Sequence, residues 1–448
     1  MMEIHAAREI KGTVTMPPSS DLFFLSLAMA LVTGCRSRIS PFRATSQTLG
    51  WVDAFKPGAV ITVEQDSCVI GPGSDCARWI PRLSYEDIPY RDFIVFMLLG
   101  HCGALVIDPL PPKRLERWSR LASKAGCALR EERMDGDQRL VLDKKDQFKI
   151  PDVSVDIDEL HPFLGMALAL RRPVDFVIDQ GFSSPVRQAM AAFGIECVVK
   201  NNTHNKDEDP LLRRLRFMKT GKKSEGPLMF SVAADFSRPF STEAEITLPG
   251  DDVFAGLMIL AKCLVAKGSL VIENVGLESW NTQVLQFLKT MGGVFGTQET
   301  HTCSFGSAGT VIVQKMNAFG RKVECRPYWQ YASALPSMAV MAAFAQGQTV
   351  FRRLEELRED EPDGIARLIA CVSALGARYG EMPDGIVIEG AKQFDGFDLR
   401  DPLPAAVAAA FAVAALKCRG ATSVADDYIV KRWPDFRETL FSLCEFKE

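Results

Sequence analysis

The stretch PPSSDLFFLSLAMALVTG, Pro17 to Gly34, is a proline-punctuated turn that feeds an apolar segment ending at glycine. A turn that opens a helix presents free backbone N–H groups and the positive end of the helix dipole, which together favour an anion. The side chains at this turn are Ser19, Ser20 and Asp21, with no lysine or arginine among them. The backbone chemistry is that of an anion site, and the side-chain charge is of the opposite kind.

Residues capable of metal or thiol chemistry are scattered. The 12 cysteines stand singly from Cys35 to Cys444, without a C-x-x-C pair, and the five histidines (His5, His101, His161, His204 and His301) are isolated from them. This spacing predicts reduced, packed thiols, no metal site and no cofactor.

The elements that must position any site repeat along the 448 residues. Apolar, small-residue-rich segments run from Phe23 to Gly34, Phe93 to Gly100 and Phe163 to Leu170, and again from Val253 to Gly268, Met338 to Gly347 and Val407 to Gly420. Most lead into a β-rich run. Helices with so little polar face belong in an interior with sheet around them. Between the third and fourth units the segment Lys200 to Glu225 is polar and charge-dense, which reads as an insertion or linker, and its basic run Arg213 to Lys223 as a solvated surface. Three units on either side imply two similar domains, expected over 14–230 and over 1–13 with 231–448, with a small-molecule substrate in the cleft between them.

A net charge of −4, with 24% charged residues, points to neither nucleic acid nor an anionic membrane surface as partner. The apolar run Pro404 to Leu416 is shorter than the ~20 residues of a membrane span. The opening MMEIHAAREIKG lacks a secretory pattern, so the expected location is cytoplasmic.

Three segments resemble the enolpyruvyl transferases, most of all the 5-enolpyruvylshikimate-3-phosphate synthase family. Leu248 to Glu278 carries the P-G-D-x-x-x-A-G opening, the K-G and the strand V-I-E-N-V-G; Leu335 to Tyr379 carries the alanine-rich helix ending F-A-x-G-x-T; and Ala408 to Leu440 resembles the last helix and its K-x-F-P-x-F signature. The resemblance implies an α/β (α+β) fold of two domains, each of three βαβαββ units with buried helices, an inside-out α/β barrel. The first strand of the chain would belong to the second domain. It also implies transfer of the enolpyruvyl group of phosphoenolpyruvate to a hydroxyl, on two polyanionic substrates that need lysine and arginine to hold them.

At the positions the resemblance assigns to substrate, the chain departs from the family. In the first loop, P-G-S-K-S-x-x-x-R becomes Pro17 to Leu25, which keeps Ser19 but puts Ser20 for the lysine and Leu25 for the arginine, with Asp21 beside them. Arg91 is kept, Lys113 stands for the next arginine, and the S-S-Q triplet becomes Leu160-His161-Pro162, followed by Phe182 for a tyrosine. Ser333 replaces the aspartate that serves as base, and a serine cannot accept that proton near neutral pH unaided. In L-R-x-K-E-x-D-R the chain keeps Arg358 and Glu361, the latter at the position of a catalytic glutamate, but has Asp360 and Gly364 for two cations. Pro404-Ala405-Ala406 replaces D-H-R, and Lys431 keeps the cation of the last signature.

The resemblance therefore implies catalytic roles for Glu361 and Lys431 and substrate contacts at Ser19, Ser20, Asp21, Arg91, Lys113, Ser333 and Arg358. The first expectation is an enzyme acting in the cleft on a substrate other than shikimate 3-phosphate plus phosphoenolpyruvate. The others are a non-catalytic homologue that keeps the fold, and a genuine 3-phosphoshikimate 1-carboxyvinyltransferase.

Overall fold

Helices Ser20–Thr33, Arg91–Cys102 and Leu160–Ala169 are buried on almost every side in one hydrophobic core, and Asp252–Leu264, Leu335–Ala343 and Ala405–Ala415 in a second. The computed structural model describes residues 1–73, 79–134, 137–143, 155–179, 182–201, 230–279 and 282–446. The basic run Arg213 to Lys223 and most of its charge-dense segment lie outside them. The six helices are those of the six repeated units, and Phe23, Leu27 and Met29 of the first are core residues.

Helix ends follow local chemistry. Ser19 caps the first helix by accepting from the Leu22 N–H at 3.4 Å, and Gly34 closes it in the left-handed region at φ 70°. Asp251 caps the helix that opens the second core, accepting from the Phe254 N–H at 2.9 Å. Close packing sets a stricter demand at Gly165, where an added Cβ would lie 2.4 Å from the Phe93 carbonyl oxygen on the neighbouring helix. Gly165→Ala is expected to lower stability by about 1–3 kcal/mol, read as a lower midpoint of urea unfolding.

Among the described residues, six small sheets of three or four strands, five mixed and one antiparallel, cover the helices. Strands Met2–Ile4 and Gly12–Thr15 pair with Thr422–Val424 and Leu270–Gly276, so residues from Met2 to Met16 pack in the second core. The first core extends past the expected boundary at 230. Strand Phe230–Ala234 pairs with Val174–Ile178 and Cys197–Asn201, and Glu243–Thr247 runs parallel to Arg36–Ser40, with Ala244, Ile246 and Leu248 in the first core.

The chain thus crosses between cores near Pro17–Ser19 and Pro249–Asp251. The two crossings are bonded side by side: the Ser19 N–H donates to the Pro249 carbonyl at 3.0 Å and the Asp251 N–H to the Pro17 carbonyl at 2.7 Å. Each leads directly into a buried helix, which fixes the N-terminal turns of both helices beside each other. No helix among the described residues is long and apolar enough to cross a membrane.

Candidate functional site

A cavity of about 300 Å³ lies between the two cores. Residues at or beside the N-terminal ends of all six buried helices line it: Asp21, Arg91, His161, Asp252, Leu335 and Ala405. Converging helix N-termini would favour an anionic ligand. Here much of that favour is taken by the chain itself, because Asp21, Asp92 and Asp252 sit in the first turns of three of these helices.

The charge of the wall follows the same pattern. Asp21, Glu86, Asp87, Asp92, Asp158, Asp252, Glu356 and Asp360 supply eight carboxyls, against five cations in Arg91, Arg114, Arg367, Lys431 and Arg432. Each of those cations already faces a carboxylate. Lys431 donates to Asp87 at 2.5 Å, Arg432 lies 3.0 Å from Asp21 and 3.5 Å from Asp251, and Arg367 lies 3.6 Å from Glu86. Arg91 lies 3.5 Å from Asp360 and stacks its guanidinium 3.7 Å from the Tyr85 ring centre.

Arg114 is the most enclosed, 3% exposed, with Glu359 at 3.0 Å, Asp360 at 3.4 Å and Glu356 at 3.6 Å. Arg117 joins the cluster at 3.0 Å from Glu356. Away from the cavity lining, Arg326 reaches Asp179 at 2.7 Å and Asp156 at 3.0 Å. Most of these pairs join the two cores, so the same cations that line the cavity hold its sides together.

Burial pushes the Asp252 carboxyl up to about 8, and repulsion from Asp251 and Asp21 adds to it. The Asp21 carboxyl is also raised by burial, against the pull of Arg432. Burial works upward on Asp92 too, but Arg117, Arg114 and the Trp118 indole hold it below the usual carboxylate range. Burial drives the Glu356 carboxyl up despite its two arginines, because Asp92 and Asp158 compete for the same positive charge. His161 is pushed down to about 3 by burial, and is therefore neutral, with Nε2 at 2.9 Å from the Ser184 hydroxyl and its ring 4.2 Å from that of Trp329.

Of the residues expected to contact substrate, Asp21, Arg91 and Ser333 line the cavity, as does Lys431, expected to be catalytic. The others are elsewhere. Ser19 caps its helix and Ser20 is buried with its hydroxyl 3.5 Å from Asp251, both facing a separate small crevice. Lys113 is exposed and donates to the Arg358 carbonyl at 3.3 Å. Arg358 is spent on Asp363 at 3.0 Å and Glu381 at 2.8 Å. Glu361 is exposed and contributes nothing to the wall, because Asp360 and Gly364 take the inward positions of that turn.

Motif positions alone also undercount the cations, since they omit Arg114, Arg367 and Arg432. Arg114 and Arg117 had a signal: they fall on the buried face of helix Pro112–Lys124 with Trp118, Leu121 and Ala122. Leu25, at the family's arginine position, is 0% exposed in the first core, so a cation there would be buried away from the cavity. Among the described residues no group of three or more His, Cys, Asp or Glu side chains is placed to hold a metal ion.

The sequence model of the family described as EPSP synthase (3-phosphoshikimate 1-carboxyvinyltransferase) matches residues 234–440. Somewhat less than half of the 448 residues are therefore similar to that family. Among curated relatives, the 3-phosphoshikimate 1-carboxyvinyltransferase of Synechococcus sp. (strain JA-3-3Ab) is 31% identical over 196 residues, 44% of each chain. That of Brevibacillus brevis is 29% identical over 201 residues, 45% of this chain and 47% of the relative. The match thus spans less than half the length of these relatives.

Solved structures extend the likeness of fold to the whole chain. EPSP synthase from Acinetobacter baumannii superimposes with a TM-score of 0.66 at 16% identity, covering 98% of this chain and 97% of that one. The enolpyruvyl transferase NikO from Streptomyces tendae gives 0.65 at 15% identity, covering 98% and 96%. The EPSP synthase family resemblance in the C-terminal half and the enolpyruvyl transferase fold throughout agree with the six-unit reading of the sequence.

Proposed function

We propose that this chain is a diverged EPSP synthase-like enzyme whose cleft takes a small molecule other than shikimate 3-phosphate with phosphoenolpyruvate. One observation carries the reading: every cation lining the cavity is already matched by a carboxylate of the chain. A phosphorylated acid entering there would have to displace those carboxylates and desolvate beside Asp252, Asp21 and Glu356. Each charge-assisted contact it gained would be worth about 1.5–3 kcal/mol, and breaking a buried pair costs as much or more. A polar, ligand-sized cavity supports binding over a purely structural role, since about 300 Å³ is at the lower end of small-molecule sites. The small side chains of Gly364, Ala405 and Ala406 on the wall favour, as a second reading, a homologue that binds without turnover.

Calorimetric titration with phosphoenolpyruvate and shikimate 3-phosphate, separately and together, tests this. No binding is expected at sub-millimolar concentrations. Tight, mutually cooperative binding of the two would return the chain to the synthase reaction.

A further inference from the structure

At the end of the cavity where the chain crosses between its cores, the wall has more acceptors than donors. Asp87 takes Lys431, and Arg432 is shared by Asp21 and Asp251. Asp252 also lines the cavity, and has no hydrogen bond or ion pair to another side chain among the described residues.

Gln47 shows the same excess independently of charge. It is 7% exposed, and its Nε2 donates to Asp87 Oδ1 at 3.2 Å, which fixes the amide orientation because the flipped form would set two oxygens together. Gln47 lines the cavity, and its buried Oε1 accepts no hydrogen bond. Native folds leave few such acceptors unpaired. Asp21 lies close enough to influence, or be influenced by, both Asp87 and Asp252, which places all of these groups in one neighbourhood. The rings of Tyr90 and Tyr428 line the cavity with them.

We infer that this end of the cavity binds the protonated amino group of a small organic ligand, with Gln47 Oε1 and the Asp252 carboxylate as its acceptors and the tyrosine rings flanking it. The inference rests on the reading that the cleft holds something other than the family's two anions. An ammonium supplies the donor that Gln47 Oε1 lacks and a positive charge in direct contact with Asp252, which otherwise has only the pull of Arg432 that it shares with Asp21 and Asp251. Aromatic faces favour it further. It also has a proton linkage. The groups around Asp252 are Asp251, Asp21, Arg432 and Tyr90, and its carboxyl is held up at about 8. A bound ammonium favours the ionised form, so binding releases a proton near neutrality and tightens as pH rises from 6 to 8.

Three probes with one aromatic frame separate the charge classes: phenethylamine, 2-phenylethanol and 3-phenylpropionate, titrated calorimetrically into the full chain at low salt and pH 8. The amine is expected to bind at least about tenfold more tightly than the alcohol, with the carboxylate weakest. Asp252→Asn and Gln47→Leu are each expected to weaken the amine about fivefold or more and to leave the alcohol nearly unchanged. Asp252→Asn should at the same time raise the thermal midpoint at pH 8, so that lost binding is not lost folding. An amine no tighter than the alcohol, or variants that retain amine binding, would overturn the inference. Phosphoenolpyruvate and shikimate 3-phosphate run in parallel keep the two levels apart. If they bind tightly, the underlying reading fails and this one with it; if neither they nor the amine bind, only this inference fails.

Discussion

Arg114→Met is expected to cost about 3–5 kcal/mol of stability at pH 7, measured by urea unfolding. The methionine keeps much of the volume of the stem and removes the charge. Arg114 Nη1 faces Glu359 and Glu356, Nη2 faces Asp360 and donates to the Glu356 carbonyl at 3.1 Å, and Nε donates to the Tyr85 hydroxyl at 3.0 Å. Helix Pro112–Lys124 of the first core is thereby fastened to the turn Glu355–Glu359 of the second. Without the guanidinium these carboxyls remain buried with only Arg117 and Arg91 to share.

The sign of the pH dependence follows. Unpaired buried carboxyls have folded-state pKa values above their unfolded ones, so the variant keeps its stability below the unfolded carboxylate range near pH 4. It loses stability as pH rises through the raised values. The gap between native and variant should therefore be small at pH 4 and largest at pH 7. A variant within 1 kcal/mol of the native chain at pH 7 would remove Arg114 as the fastening point. Lys113→Met next door is the control, exposed and with one hydrogen bond, and should change stability by less than about 0.5 kcal/mol.

The contrast between these neighbours shows what the sequence made legible. Helices apolar on every side announce their own burial, so Phe23, Leu27 and Met29 could be assigned to a core from type and spacing alone. The position of the domain crossing could not. Strand Glu243–Thr247 has the look of a unit opening, and its partner Arg36–Ser40 is distant in sequence, with no local feature to name it. In the site, motif position located Asp21, Arg91, Ser333 and Lys431 on the cavity wall. It passed over Arg114 and Arg432, because each lies one residue beyond the position the motif marks. Ion pairs of that kind join opposite ends of the chain and leave no periodicity. Only the phase of Arg114 and Arg117 with Trp118 on a helix face could have shown that two arginines were buried.

Arg432 answers the question posed by the turn at Pro17. The absent cation of that turn is supplied from the far end of the chain, where Arg432 lies between Asp21 and Asp251 and stacks 4.6 Å from the Trp433 ring centre. Arg432→Met is expected to cost about 3–5 kcal/mol, since it leaves Asp21, Asp251 and Asp252 together without their counter-charge. The deficit should shrink as pH falls from about 8 towards 4, because the Asp252 carboxyl already stands at about 8 and that of Asp21 is raised with Arg432 present, and both rise further without it. Adding Ser20→Lys to that variant is the sharper measurement. The Ser20 hydroxyl lies 3.5 Å from Asp251 Oδ2, so an ammonium extended from position 20 meets the same carboxylates that Arg432 neutralises. At least half of the lost stability should return. In the otherwise native chain the same Ser20→Lys change should be neutral or harmful, because it sets a second cation against Arg432 in a buried space. Equal effects of Ser20→Lys in the two backgrounds would mean that Arg432 does not replace the cation missing from the turn.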